Sequence, residues 1–187
     1  TCAADAASVA QRLGIPFHEF DCTEQFNKLV KDYFVRCYEE GGTPNPCIEC
    51  NRYLKFGLLL EIARDMDCDY VVTGHYARIR RDEETGRYIL YKAADRAKDQ
   101  SYFLHAINRN ILERVLFPVG DIEKPEVRAI AEKLGLATAK KKDSTGICFI
   151  GEKRFHEFLS KYIPATPGDI VSTKGEVVGR HDGLMYA

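Results

Sequence analysis

Apolar positions recur at helical spacing from the first residues, where Ala7, Val9, Ala10 and Leu13 lie on or near one face ahead of Gly14. IPFHEFD (15–21) then alternates well enough to predict a strand, and TEQFNKLVKDYFVRCYEEGG (23–42) reads as a helix with Thr23 as N-cap and glycines at its close. A loop comes next, because Pro44 and Pro46 push Thr43 and Asn45 away from helical angles; RYLKFGLLLEIARDM (52–66) then returns to a helical pattern. DYVVTGHYARI (69–79) opens as the continuous apolar run of a buried parallel strand, and the polar DEETG turn before RYILYKA predicts a hairpin.

Further on, DQSYFLHAI (99–107) predicts a helix, VLFPVG a short apolar run, and KPEVRAIAEKLGL (124–136) an amphipathic helix with Pro125 in its first turn. AKKKDSTGICFIG (139–151) is basic and polar, ending in a strand-like piece. RFHEFLSKYIPATPGDI then changes the texture to one helix, a Pro-rich turn and short strands around TKGE and RHDG. Alternating helix and strand predicts an α/β layer fold, with the ligand crevice beyond the strand C-termini, where TGHY falls. The change of texture puts a domain boundary near 152–164: 1–151 as one domain and 152–187 as the start of a second.

Composition narrows the class. With 187 residues, 45% hydrophobic and 29% charged, the chain can bury a real core. A formal net charge of -1 excludes a globally basic nucleic-acid binder, so a polyanion would have to be met by a local patch. Seven cysteines, an odd number in a chain of ordinary core composition, argue against a secreted disulfide scaffold. No run approaches the roughly 18 apolar residues of a membrane helix, and no basic-then-apolar leader opens the chain, so the expectation is a soluble cytoplasmic protein. The first residue is not Met and already sits in a helical pattern, which reads as a piece whose beginning lies elsewhere.

The densest chemistry is GTPNPCIECN (42–51), where Cys47 and Cys50 form one Cys-x-x-Cys pair. A structural zinc site wants two such pairs, and a redox pair wants a strand leading directly into the helix, so neither reading is favoured; simple packing of two thiols stays open. Cys148, between Ile147 and Phe149, reads equally as a core residue or as a thiol activated by the field of Lys140, Lys141 and Lys142. His75 is either a satisfied histidine at a strand end or a donor to phosphate or base. Lys98, Asp99 and Gln100 set a cation, an anion and an amide side by side.

Taken in order, GTPNPCIECNRYLKFG, DYVVTGHYARI, KDQSYFL, FPVGDIEKPEVRAIAEKLGL, KKDSTGICFIG and GEVVGRHDGLMY closely resemble the tRNA-specific 2-thiouridylases over essentially the whole chain. The resemblance implies a Rossmann-like ATP-pyrophosphatase domain of the adenine nucleotide alpha hydrolase type, then the start of a small central domain with β content. It also implies an upstream SGGxDS-type phosphate loop and a C-terminal β-barrel, neither of which is in these residues, so this polypeptide alone is expected to be inactive. By position, Cys50 matches the family nucleophile and Cys148 the persulfide carrier. Asn45, Pro46 and Cys47 match contacts to the target base, Gly74 a contact to ATP, and His75, Lys98, Asp99 and Gln100 contacts to tRNA.

The implied reaction is ATP-dependent 2-thiolation of the wobble uridine, with Mg2+ accompanying ATP, tRNA as substrate and a persulfide-carrying protein as sulfur donor. ATP adenylates the C2 oxygen, which solves the leaving-group problem, and Cys50 attacks the Cys148 persulfide to free hydrosulfide and leave a Cys50–Cys148 disulfide. Many relatives carry Asp where this chain has Cys47, and three thiolates at Cys47, Cys50 and Cys148 would also suit an iron-sulfur cluster with one open site. Two other classes stand beside this one: a noncatalytic tRNA-binding or sulfur-carrier module, and a 2-thiocytidine-type enzyme.

Overall fold

A computed structural model describes residues 2–143, 146–151 and 155–186. It divides into two compact units that interleave along the chain: Thr1–Cys22 with Asn51–Asp143, and Thr23–Cys50 with Ser144–Ala187. Residue 152, where the sequence pattern opens a second domain, lies outside the described residues.

The first unit holds helix α1 (Cys2–Leu13), all but the first residue of a π-helical stretch over Cys50–Leu58 that runs on into α5 (Leu59–Asp65), strands β1 (Val71–Val72), β2 (Ala77–Arg81), β3 (Tyr88–Lys92) and β4 (Val115–Leu116), and helix α6 (Lys124–Lys133). β1 pairs with β4 in parallel, and β2 with β3 antiparallel from Ala77↔Lys92 to Arg81↔Tyr88. This mixture of helix, parallel pair and hairpin is the α/β class that the pattern predicts. Asp82 makes the hairpin turn: its carboxylate accepts from the Thr85 amide and hydroxyl at 2.7 and 2.6 Å, and Gly86 supplies the positive φ of 68°. Phe56, Ala77, Leu104, Val115 and Phe117 form the core, with Ile79, Leu90, Ile107 and Ile111 packed against them. Gly120 passes so close to the start of β2 that a Cβ there would run into the Ala77 carbonyl.

The second unit holds α2 (Thr23–Phe26), a π-helical stretch Asn27–Lys31, α3 (Asp32–Glu39), α4 (Pro46–Glu49), α7 (Phe155–Leu159) and the antiparallel strands β5 (Gly168–Val171) and β6 (Val177–His181). Its core is aromatic. The Phe34 ring is fully buried, with Tyr38, Phe149, Phe155 and Phe158 all within 6.5 Å, centroid to centroid, and mostly edge-on.

Four elements differ from the sequence pattern, each for a local reason. Residues 15–21 form no strand: Ile15, Phe17 and Phe20 are exposed, and the segment has no ladder partner among the described residues. The run 69–79 is two strands in two sheets, because the chain turns after Thr73, whose amide bonds the Leu116 carbonyl at 3.1 Å, and the Ala77 amide closes back on the His75 carbonyl at 3.0 Å. The expected helix at 99–107 shortens to a 3₁₀ turn, Ser101–Leu104, where the Asp99 carboxylate takes the Ser101 amide and hydroxyl. The strand-like end of 139–151 is a turn, closed by the Ile150 amide on the Ile147 carbonyl at 3.0 Å.

Candidate active site

In the second unit, Pro44 and Pro46 are buried, and Asn45 between them is the N-cap of α4. Its Oδ1 accepts from the Cys47 amide at 3.2 Å, satisfying one of the donors a helix start leaves open, while Pro46 needs none. With Oδ1 engaged in the cap, Nδ2 carries the donors of the Asn45 side chain. The Cys50 amide closes on the Pro46 and Cys47 carbonyls, so Cys47 and Cys50 lie one turn apart on the same side of the helix, both half-buried.

Cys148 is exposed, although the residues on both sides of it are apolar. Ile147, Phe149 and Ile150 pack against the cluster of Phe34 and Leu159, and the Phe149 ring sits 5.4 Å from Phe34 and 5.5 Å from Phe26. The flanks are therefore an anchor, and the turn between them turns the thiol outward. Cys50 and Cys148, distant in sequence, belong to one compact unit. Among the described residues no disulfide forms, and no three His, Cys, Asp or Glu side chains are gathered closely enough to hold a metal ion. As placed, Cys47, Cys50 and Cys148 do not make the ligand set that an iron-sulfur cluster needs.

The remaining candidates lie in the first unit. Gly74 is exposed just after β1, beyond the C-terminal end of a parallel strand, and a Cβ there would meet nothing within 4 Å. His75 is buried at 9% exposure, its ring between Phe56 and Phe117 with centroids 5.8 Å from each. Its Nε2 is 3.4 Å from the Lys55 Nζ and its Nδ1 2.7 Å from the Thr73 hydroxyl. An ammonium only donates, so Nε2 accepts, Nδ1 carries the proton, and the Thr73 oxygen receives it. Burial, and then the neighbouring Lys55 charge, push the His75 pKa down from 6.5 to about 4. The imidazole is neutral at pH 7.

Lys98, Asp99 and Gln100 do different work. Gln100 clasps Tyr76: its Oε1 accepts the Tyr76 amide at 3.0 Å and its own amide bonds the Tyr76 carbonyl at 2.8 Å. The Asp99 carboxylate takes the Ala93 amide at 2.6 Å and the Ser101 hydroxyl at 2.6 Å. Burial raises its pKa, but the hydrogen bonds from Ser101 and Ala93 outweigh that and hold the carboxyl below its ordinary range. Lys98 alone turns its charge outward, to Asp143 at 3.1 Å. A cavity of about 400 Å³ lined by Tyr70, Arg80, Phe117 and Asp121 contains none of the candidate residues.

Sequence reasoning passed over Lys55, Thr73 and Asp143. Nothing in the sequence pairs Lys55 with His75, because the helix-to-strand connection that joins them is set by packing. Thr73 stands two residues before His75, close enough in sequence to have been considered as its partner.

Residues 1–152 match the family model described as tRNA methyl transferase HUP domain. Proteins named tRNA-specific 2-thiouridylase MnmA from Pseudomonas aeruginosa (strain UCBPP-PA14) and Pseudomonas putida (strain GB-1) are each 56% identical to this chain, over 183 and 184 residues. Each match covers 98% of this chain and 48% of the relative, so the chain spans about half the length of the curated relatives it matches. With most of its length under that family model and the thiouridylase motifs in order, the chain belongs to the tRNA methyl transferase HUP-domain family.

Proposed function

We propose that the protein of which these residues are part catalyses ATP-dependent 2-thiolation of the wobble uridine of tRNA. The observation that carries this is the presentation of Cys148, a thiol turned outward between apolar neighbours that are packed inward, in the same compact unit as Cys50. A cysteine that only packed would sit with its neighbours. The relatives named tRNA-specific 2-thiouridylase support the choice of substrate and reaction.

In this reading Cys148 accepts a sulfur atom from a persulfide-carrying donor protein. The Cys50 thiolate attacks the Cys148 sulfur, the Cys50–Cys148 bond forms, and hydrosulfide leaves. Hydrosulfide then attacks C2 of the uridine, whose oxygen ATP has adenylated with loss of pyrophosphate, and AMP carries that oxygen away. An external thiol reduces the disulfide for the next turnover. Asn45 presents its amide donors to a uracil oxygen, with Pro46 and Cys47 as the wall beside it. Gly74 lies against ATP with its Mg2+, where the lack of a side chain serves a molecule other than this chain. Lys98 meets RNA, while His75, Asp99 and Gln100 hold the surface that does so. The segment 1–151 belongs to the ATP-pyrophosphatase domain and 152–187 opens the central domain.

The test is mass analysis of nucleosides from tRNA incubated with full-length protein, ATP and a sulfur donor. 2-Thiouridine is expected, with Cys50→Ser and Cys148→Ser each lowering its formation by roughly 10³-fold or more. Thiocytidine in its place, or full activity from either variant, would reject the reading.

A further inference from the structure

Asp143 receives three cations. Lys98 Nζ is 3.1 Å from one carboxylate oxygen, while Lys124 Nζ and the Arg128 guanidinium are each 3.2 Å from the other. One carboxylate matches one of these charges and leaves a positive surplus. Asp95 is a second acid whose charge reaches Tyr76, and its carboxylate is engaged by the backbone amides of Ala97 at 3.1 Å and Lys124 at 3.0 Å. The three cationic side chains remain 27–44% exposed, within reach of a large ligand.

A second feature points into the same place. Tyr76 is buried at 6% exposure, and its hydroxyl has no hydrogen-bond partner among the described residues. The Lys124 ammonium lies 5.3 Å from the centre of its ring, and the phenol feels the charges of Asp95, Asp143, Lys98 and Arg128. A buried hydroxyl without a partner is costly unless something is brought to it. Gln100 fixes the Tyr76 backbone through two hydrogen bonds, and burial confines its side chain.

We propose that Lys98, Lys124 and Arg128, with the Tyr76 hydroxyl, form a site for a backbone phosphate of RNA, and that Asp143 occupies these cations when RNA is not bound. The inference rests on the reading of the protein as one that acts on RNA, and it adds Lys124, Arg128 and Tyr76 to the phosphate contact and Asp143 as its internal competitor. A phosphodiester suits the site because its two non-bridging oxygens can be shared among an arginine and two lysines as the carboxylate oxygens are now. The three cations pull the Asp143 carboxyl well below its ordinary range, so the competitor stays charged at any working pH.

The experiment measures tRNA binding by the full-length protein as a function of salt, without turnover. Lys124→Gln and Arg128→Gln are each expected to weaken binding and to lower the slope of log affinity against log salt by about 0.7–0.9, one counterion's worth. Asp143→Asn removes the competitor and is expected to tighten binding several-fold. A latch with no role in binding gives no tightening, so unchanged or weaker binding by Asp143→Asn, or an unchanged slope in both cation variants, would overturn the proposal. Should Lys124→Gln fail to fold, Lys124→Gln/Asp143→Asn removes one charge of each sign and must still show a lower slope than Asp143→Asn alone. If Lys124→Gln raises the KM for ATP while the RNA slope is unchanged, the phosphate bound is a nucleotide's and the RNA assignment falls. Absence of 2-thiouridine in the wild-type reaction would sink the proposed function and leave these binding slopes standing.

Discussion

The two units hold their candidate residues by different physics. In the second, Cys148 is set by the packing of its two neighbours: Phe149 and Ile147 pack against the cluster of Phe34 and Leu159. In the first, His75, Asp99 and Gln100 are each held by directed polar contacts at 2.6–3.4 Å. Packing is undirected and tolerates small shifts. Hydrogen bonds fix angle as well as place.

The sharpest way to break this contrast is Phe34→Ala. Removing a fully buried ring should destabilise the second unit by about 3–5 kcal/mol and raise amide exchange in residues 146–151, with smaller change around His75. Equal loss of protection in both regions would erase the distinction.

The polar side is tested by pH. His75 takes a proton near 6.5 when unfolded and near 4 in the folded chain, so the unfolded state binds more protons between those values. Its contribution to stability is complete above pH 6.5 and falls as pH drops towards 4, by roughly 3 kcal/mol at most. His75→Leu should flatten that slope in urea midpoints taken at pH 7 and pH 4.5. A slope unchanged by the substitution would assign it to other groups.

Asn45→Ala asks whether the second unit needs a polar device at all. Loss of the N-cap should cost about 0.5–2 kcal/mol in the chemical denaturation midpoint, and Asn45→Asp should restore most of it. The smallest effect on stability is expected for Gly74→Val, within about 0.5 kcal/mol, since no atom lies within 4 Å of the added Cβ. Its consequence should be in the KM for ATP of the full-length protein, about tenfold or more. A large loss of stability would mean that Gly74 serves the fold.

Much of the fold was readable because it depends on local chemistry. The hairpin at 77–92 is written in its DEETG turn, and helix α6 in Pro125 and its apolar spacing. Residues 15–21 misled because alternation is necessary for a strand but a partner completes it. Among the site residues, the N-cap role of Asn45 follows from its place before Pro46, while the burial of His75 against Phe56 and Phe117 depends on elements far apart in sequence. No helix among the described residues is long and apolar enough to cross a membrane.

The sequence by itself determined the residue types and their order: a proline-flanked Asn45, a Cys-x-x-Cys turn, a cysteine between apolar neighbours, and the motifs that mark the family. Whether Cys148 faced inward or outward was decided only by tertiary structure, because ICF has the same hydropathy either way and the outcome depends on which neighbours find rings to pack against. The meeting of Lys98, Lys124 and Arg128 on Asp143 was likewise beyond the sequence. Charge is local, but which charges share a partner depends on how a loop and a helix are folded together.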